Sequence, residues 1–188
     1  NNATIGYEAA GGAALLVQRM SSASVGVLAL YTNNAADVID CSAVTNVTIA
    51  PQATMVQTGA ITPYNHAYVF TCTNATYTYT WPISDVSGGA AGSVTFNGGA
   101  AGRLVLTNNS TFTGGVIANG GVLVMQHANA LGGGGKNIAL KNGATLKLDA
   151  AGIPSSFVQD RLMADSQGLI LIGPACSNLS VNVSGYPG

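Results

Sequence analysis

Three short segments of this chain superpose on one another: Val94-Thr95-Phe96-Asn97-Gly98-Gly99, Val116-Ile117-Ala118-Asn119-Gly120-Gly121 and Ala139-Leu140-Lys141-Asn142-Gly143-Ala144. Each reads as a short strand, an Asn-Gly turn and a fresh apolar run, namely Leu104 to Leu106, Val122 to Met125 and Leu146 to Leu148. The three asparagines lie 22 and then 23 residues apart. The same step leads back to Asn74 and Gln52, and forward to Gln167 ahead of Leu169-Ile170-Leu171-Ile172, with only the turn-then-strand order kept. A fixed period of this length, holding two or three short strands, is the mark of a solenoid. Asn-Gly can also reverse a chain in a two-residue hairpin. A hairpin pairs neighbours in sequence, whereas a solenoid pairs residues one period apart, and the constant spacing favours the solenoid. It predicts Leu123 beside Leu146, and Leu146 beside Leu169 to Leu171. Alternation along the strands turns Leu123, Met125, Leu146 and Leu148 inward. About eight rungs stacked ~4.8 Å apart would make a rod of roughly 40 Å. The alternative architecture is a β-sandwich fibre subunit, in which sequence-adjacent strands pair.

Composition supports an all-β chain. Of 188 residues 25 are Gly, and only 7% are charged, against roughly 25% in an ordinary soluble protein. Stacked rungs explain this, because like charges one above another repel while Thr, Ser and Asn ladders do not. The one helical candidate runs from Ser155 to Asp165 behind Pro154, a residue tolerated at a helix start. The chain is expected to form a single solenoid domain over 1–188, with 1–60 as less regular rungs or a cap and 61–188 as regular rungs. A net charge of −1, with six Lys and Arg spread along the chain, leaves no stripe for phosphates. No apolar run approaches the ~18 residues of a spanning helix. The chain opens at Asn1 without a basic or apolar leader, so a secretory signal is expected to lie upstream or to have been removed.

The stretch Leu104 to Asp149 resembles the passenger-associated transport repeat, also called the autotransporter-associated β-strand repeat. The resemblance is carried by Phe112-Thr113-Gly114-Gly115, Asn119-Gly120-Gly121-Val122-Leu123-Val124-Met125, Ala128-Asn129-Ala130-Leu131-Gly132 and Asn142-Gly143-Ala144-Thr145-Leu146-Lys147-Leu148. Gln126-His127 and the tract Gly132 to Gly135 depart from the family pattern. The resemblance implies a right-handed parallel β-helix in a secreted bacterial passenger, whose C-terminal β-barrel is not in this sequence. This chain would then be a fragment or a processed product.

Chemistry-bearing residues are sparse. Glu8, Asp37, Asp40, Asp85, Asp149, Asp160 and Asp165 are the carboxylates. Asp37 and Asp40, or Asp149 and Asp165, would suit acid/base work on a glycosidic bond if they came within ~5–10 Å of each other. Solvated turn carboxylates are the favoured reading. His66 and His127 have no second ligand at metal spacing, so neither metal nor cofactor is expected. Cys41, Cys72 and Cys176 sit at different phases of the period and are expected as buried thiols, with a Cys41–Cys72 bond as the alternative. Asn-x-Ser/Thr occurs at Asn2, Asn46, Asn74, Asn108, Asn109, Asn178 and Asn182, which marks glycosylation only in a eukaryotic secretory setting. The most unusual cluster is aromatic: Tyr64, Tyr68, Phe70, Tyr77, Tyr79 and Trp81. Facing outward they would make a surface for sugar stacking or subunit docking. Facing inward, the favoured orientation, they would fill a wide rung.

The sequence therefore predicts a non-enzymatic, extracellular or cell-surface structural and adhesive β-solenoid, either a passenger or a matrix fibre subunit. The alternative is a carbohydrate-active β-helix enzyme. Expected partners are identical subunits, or a longer parent chain, joined end to end, with host or matrix glycans as a further class. Leu179 to Ser184 and Ala13 to Val17 lack the charges that would blunt an open end.

Overall fold

The computed structural model describes residues 2–7, 25–30, 38–135 and 137–176. In chain order the strands are β1 (Asn2–Tyr7), β2 (Val25–Leu30), β3 (Ile39–Cys41), β4 (Asn46–Pro51), β5 (Met55–Gln57), β6 (Ile61–Pro63), β7 (Ala67–Cys72) and β8 (Thr76–Tyr79). They continue with β9 (Ser93–Gly98), β10 (Arg103–Leu106), β11 (Val116–Asn119), β12 (Val122–Met125), β13 (Ile138–Lys141), β14 (Thr145–Leu148) and β15 (Leu169–Ile172). One short helix, α1 (Phe157–Arg161), stands between β14 and β15.

Among the described residues these strands stack as a parallel β-solenoid of about six turns. Among the same residues one sheet has seven strands in the order β1-β2-β4-β7-β9-β11-β13, a second has six in the order β15-β14-β12-β10-β8-β5, and a third face holds β3 and β6. Each strand pairs with its counterpart one period away. Leu123 lies beside Leu146, and Leu146 lies beside Ile170. Val116–Asn119 pairs with β9 and β13, not with the sequence-adjacent β12. β1, β2 and β4 extend the same seven-stranded sheet. The segments expected to form the open ends, 13–17 and 179–184, lie outside the described residues.

The interior is built from vertical columns. One runs Leu28, Ile49, Phe70, Phe96, Ala118, Leu140 through the seven-stranded sheet. Facing it, Met55, Tyr77, Leu104, Leu123, Leu146 and Ile170 form a column in the six-stranded sheet. Leu123, Met125, Leu146 and Leu148 are fully buried, as alternation required. Volume varies along a column, with the large Phe96 next to the small Ala118.

One register differs from the sequence reading. Aligning the Asn-Gly pairs places Ala139 opposite Val116, but the observed partner of Val116 is Ile138, and Asn119 faces Lys141 rather than Asn142. The physical reason is the two-residue period of a strand: the other register would have turned Lys141 into the core and Leu140 out. The difference is absorbed at the corner. Between β11 and β12 the chain turns on Gly120 and Gly121, at φ +73° and +64°. Between β13 and β14 it uses three residues, of which Asn142 and Gly143 lie at φ +53° and +70°. Asn and Gly are the residues that tolerate this left-handed region.

The helical expectation also needs revision. Within the stretch Ser155 to Asp165 only Phe157–Arg161 is helical, a single turn. Beyond it the chain becomes extended because the outer edge of β13 needs partners. Asn137 N–H donates to Arg161 O (3.0 Å), Met163 N–H to Ile138 O (2.8 Å) and Gln167 N–H to Leu140 O (2.7 Å). These hydrogen bonds cover the edge of the seven-stranded sheet, which would otherwise be open.

Candidate functional site

The aromatic cluster divides. Tyr68, Phe70, Tyr77 and Tyr79 are buried, so they offer no docking surface. Tyr64 and Trp81 are 42% and 47% exposed and are what remains of it. Phe70 is the hub, with ring centroids 6.1 Å from Tyr68, 5.7 Å from Tyr77 and 5.8 Å from Tyr79. Two hydroxyls finish the short third face. Tyr68 Oη donates to Ile61 O (2.8 Å), and Tyr79 Oη accepts from Ile61 N–H (2.9 Å). They satisfy the backbone of β6, whose described partner is β3 on one side alone. Burial pushes the Tyr68 phenol up to about 12. Among the described residues Tyr77 Oη is the one buried side-chain polar atom without a partner. Trp81 escapes the alternation that buries Tyr77 and Tyr79 because β8 ends at Tyr79.

The carboxylates serve local structure. Asp85 accepts from Thr113 N–H (2.9 Å), Gly92 N–H (2.7 Å) and Thr113 Oγ1 (2.8 Å), tying one loop to the next rung. Those hydrogen bonds, led by the Thr113 amide, hold its carboxyl below the usual range. Asp149 is lowered chiefly by Lys147, whose ammonium lies 2.7 Å away. Asp40 is lowered by the side chain and backbone of Ser42. A general acid for glycoside cleavage needs the opposite shift. Asp149 follows β14 directly, whereas Asp165 sits on the segment that covers β13. Glu8 and Asp37 lie outside the described residues.

Both histidines act as local hydrogen-bonding groups. His66 Nδ1 lies 2.7 Å from Ser84 O, and His127 Nδ1 accepts from Asn129 N–H (3.1 Å). Among the described residues no group of three His, Cys, Asp or Glu is placed to hold a metal ion. Cys41, Cys72 and Cys176 are buried free thiols, and no Cys41–Cys72 bond forms. Burial pushes Cys41 and Cys72 up to about 12. No helix among the described residues is long and apolar enough to cross a membrane.

The residues that carry the family resemblance occupy corners and columns. Phe112 is fully buried. Gly114 packs so close to the preceding rung that a Cβ would overlap Gly92 O. Asn119 Nδ2 donates to Asn97 Oδ1 (3.0 Å) and Asn129 Nδ2 to Asn109 Oδ1 (3.1 Å), short amide ladders along the rod. Ala130 and Leu131 are fully buried. Sequence reasoning missed Arg161, which donates to Leu131 O (2.9 Å), Gly132 O (3.0 Å) and Asn137 Oδ1 (3.2 Å) with its guanidinium over the Phe157 ring. Its carbonyl partners lie 29 and 30 residues away, and no local pattern announces them.

Among the exposed apolar side chains are Tyr64 and Trp81, each on its own segment. Others lie on β15, an edge strand of the six-stranded sheet among the described residues, where Leu169, Leu171 and Ile172 are 61%, 46% and 40% exposed. No protein-family model matches the chain, and neither a curated protein nor a solved structure matches it.

Proposed function

We propose that this chain is part of a non-enzymatic, extracellular structural and adhesive β-solenoid, of the autotransporter-passenger type, that continues end to end into further rungs. The observation that carries this reading is β15. An outermost strand that exposes Leu169, Leu171 and Ile172 is a surface on which another rung, from a longer parent chain or a second copy, buries apolar area. The near-neutral flanks support it, since Thr, Asn and Ser present a neutral surface to matrix or glycans. The commitment of Asp40, Asp85 and Asp149 to backbone and lysine partners supports a structural role over polysaccharide cleavage.

Head-to-tail stacking of identical units is heterologous and gives open filaments unless the rotation closes. Sedimentation velocity of the isolated chain is expected to show species that grow with concentration. The Leu169→Lys/Leu171→Lys variant, which charges the β15 face, is expected to remain monomeric. A concentration-independent monomer in the unmodified chain contradicts the proposal.

A further inference from the structure

The chain holds three Asn-Gly pairs, at Asn97-Gly98, Asn119-Gly120 and Asn142-Gly143. In such a pair the glycine nitrogen, unhindered by a side chain, can attack the preceding amide carbon. That reaction needs a free N–H, a free Asn side chain and room around the glycine, and the three sites differ in all of these. We propose that Asn142 is a self-modification site, deamidating in the folded protein with water as the only co-reactant, while Asn97 and Asn119 are protected by the solenoid.

At the first two sites the reacting groups are tied. Asn119 Nδ2 donates to Asn97 Oδ1 at 3.0 Å, so one bond immobilises both side chains. Gly120 N–H donates to Lys141 O at 3.0 Å. Gly98 lies within β9, in register with Cys72 of β7. Space is lacking too: the Cβ position of Gly98 is 2.6 Å from the Phe96 ring and 2.7 Å from Gly120 O, and that of Gly120 is 2.6 Å from Gly98 O.

Asn142-Gly143 is the reverse case. Both residues are exposed. Neither the Asn142 side chain nor Gly143 N–H has a hydrogen-bond partner among the described residues, and nothing lies within 4 Å of the Gly143 Cβ position. The register shift puts Asn142 in this open corner, one residue past the column occupied by Asn97, Asn119 and Lys141.

The chemistry balances without an enzyme. Gly143 N bonds to Asn142 Cγ, the Cγ–Nδ2 bond breaks, and Nδ2 leaves as ammonia with the proton from Gly143 N. Water then opens the cyclic imide at either carbonyl, giving aspartate or isoaspartate at 142. Either product places a carboxylate beside Lys141. Isoaspartate also inserts a methylene into the main chain of the three-residue corner, across which Ala144 N–H donates to Lys141 O (3.0 Å).

The test is peptide mapping by mass spectrometry after incubation of the full chain at mildly alkaline pH, native and in denaturant. In the native protein the Asn142 peptide is expected to convert to its acid forms at least about tenfold faster than the other two, the factor given by about 1.4 kcal/mol of protecting hydrogen bonds. In denaturant the three are expected to react at similar rates, and Asn142→Gln to leave the native protein unmodified at that corner. Conversion of Asn97 or Asn119 as fast as Asn142 in the native protein overturns the proposal, as does an inert Asn142.

Discussion

Phe70→Ala is expected to destabilise the fold by about 3–5 kcal/mol, the range for truncating a fully buried phenylalanine. Phe70 is fully buried and stands between Ile49 and Phe96 in its column, against Tyr68, Tyr77 and Tyr79. Neighbouring rungs cannot collapse into the space, because their spacing is fixed by the backbone ladder. The lost contacts and the cavity therefore both count. Removing the hub also loosens Tyr68 and Tyr79, whose hydroxyls hold Ile61. Urea denaturation checks this, with Ile117→Ala on the outer face as a control expected within about 0.5 kcal/mol of the parent. A Phe70→Ala loss as small as the control contradicts the core assignment.

Alkaline pH is the second large lever. In the folded chain Cys41 and Cys72 are pushed up by burial from an ordinary 9.0 to about 12. Burial raises Tyr68 from 10.0 to about 12, and Tyr77 and Tyr79 move in the same direction. The unfolded chain ionises these groups at their ordinary values while the folded chain keeps them neutral. The stability they contribute is thus fully present below pH 9 and falls as pH rises toward 12. Each tenfold change in an ionisation constant on folding corresponds to ~1.4 kcal/mol, so the two thiols alone withdraw on the order of several kcal/mol across that window. Urea midpoints should drop steeply from about pH 9 to about pH 12. Over the lower part of that range the native thiols should resist an aromatic disulfide reagent that labels them once unfolded. A flat stability profile, or rapid native labelling, contradicts the burial of these groups.

How much of the fold and the candidate site was legible in the sequence depends on the length scale of each interaction. The period survives in the sequence because every rung must turn its corners, and only Gly and Asn turn them at positive φ without strain. The inward set Leu123, Met125, Leu146 and Leu148 follows from alternation alone. Register to the single residue was not carried by the Asn-Gly markers, because corners absorb one residue more or less. Lys141 did carry it, since a charge cannot be turned into a dry core. The helix shortened to Phe157–Arg161 because the unpaired edge of β13 outweighs a weak local propensity. The split of the aromatics was half visible. Alternation joins Tyr77 to Tyr79, but the end of β8, which frees Trp81, has no local signal. Arg161 and the Asp85–Thr113 link were opaque for one reason: the partners stand about a rung away, chosen by the stacking and not by neighbouring residues.

The solenoid requires each strand to pair in parallel with its counterpart one period on. Spin labels on the outward positions Thr95 and Ile117, and separately on Asn97 and Asn119, test this directly, with the buried native thiols left unlabelled. Both pairs lie in register across β9 and β11. Strong spin–spin coupling is expected in both, as for backbones about 5 Å apart. Coupling in one pair without the other would mean antiparallel strands, its absence from both would mean that β9 and β11 are not neighbours, and either result would contradict the solenoid.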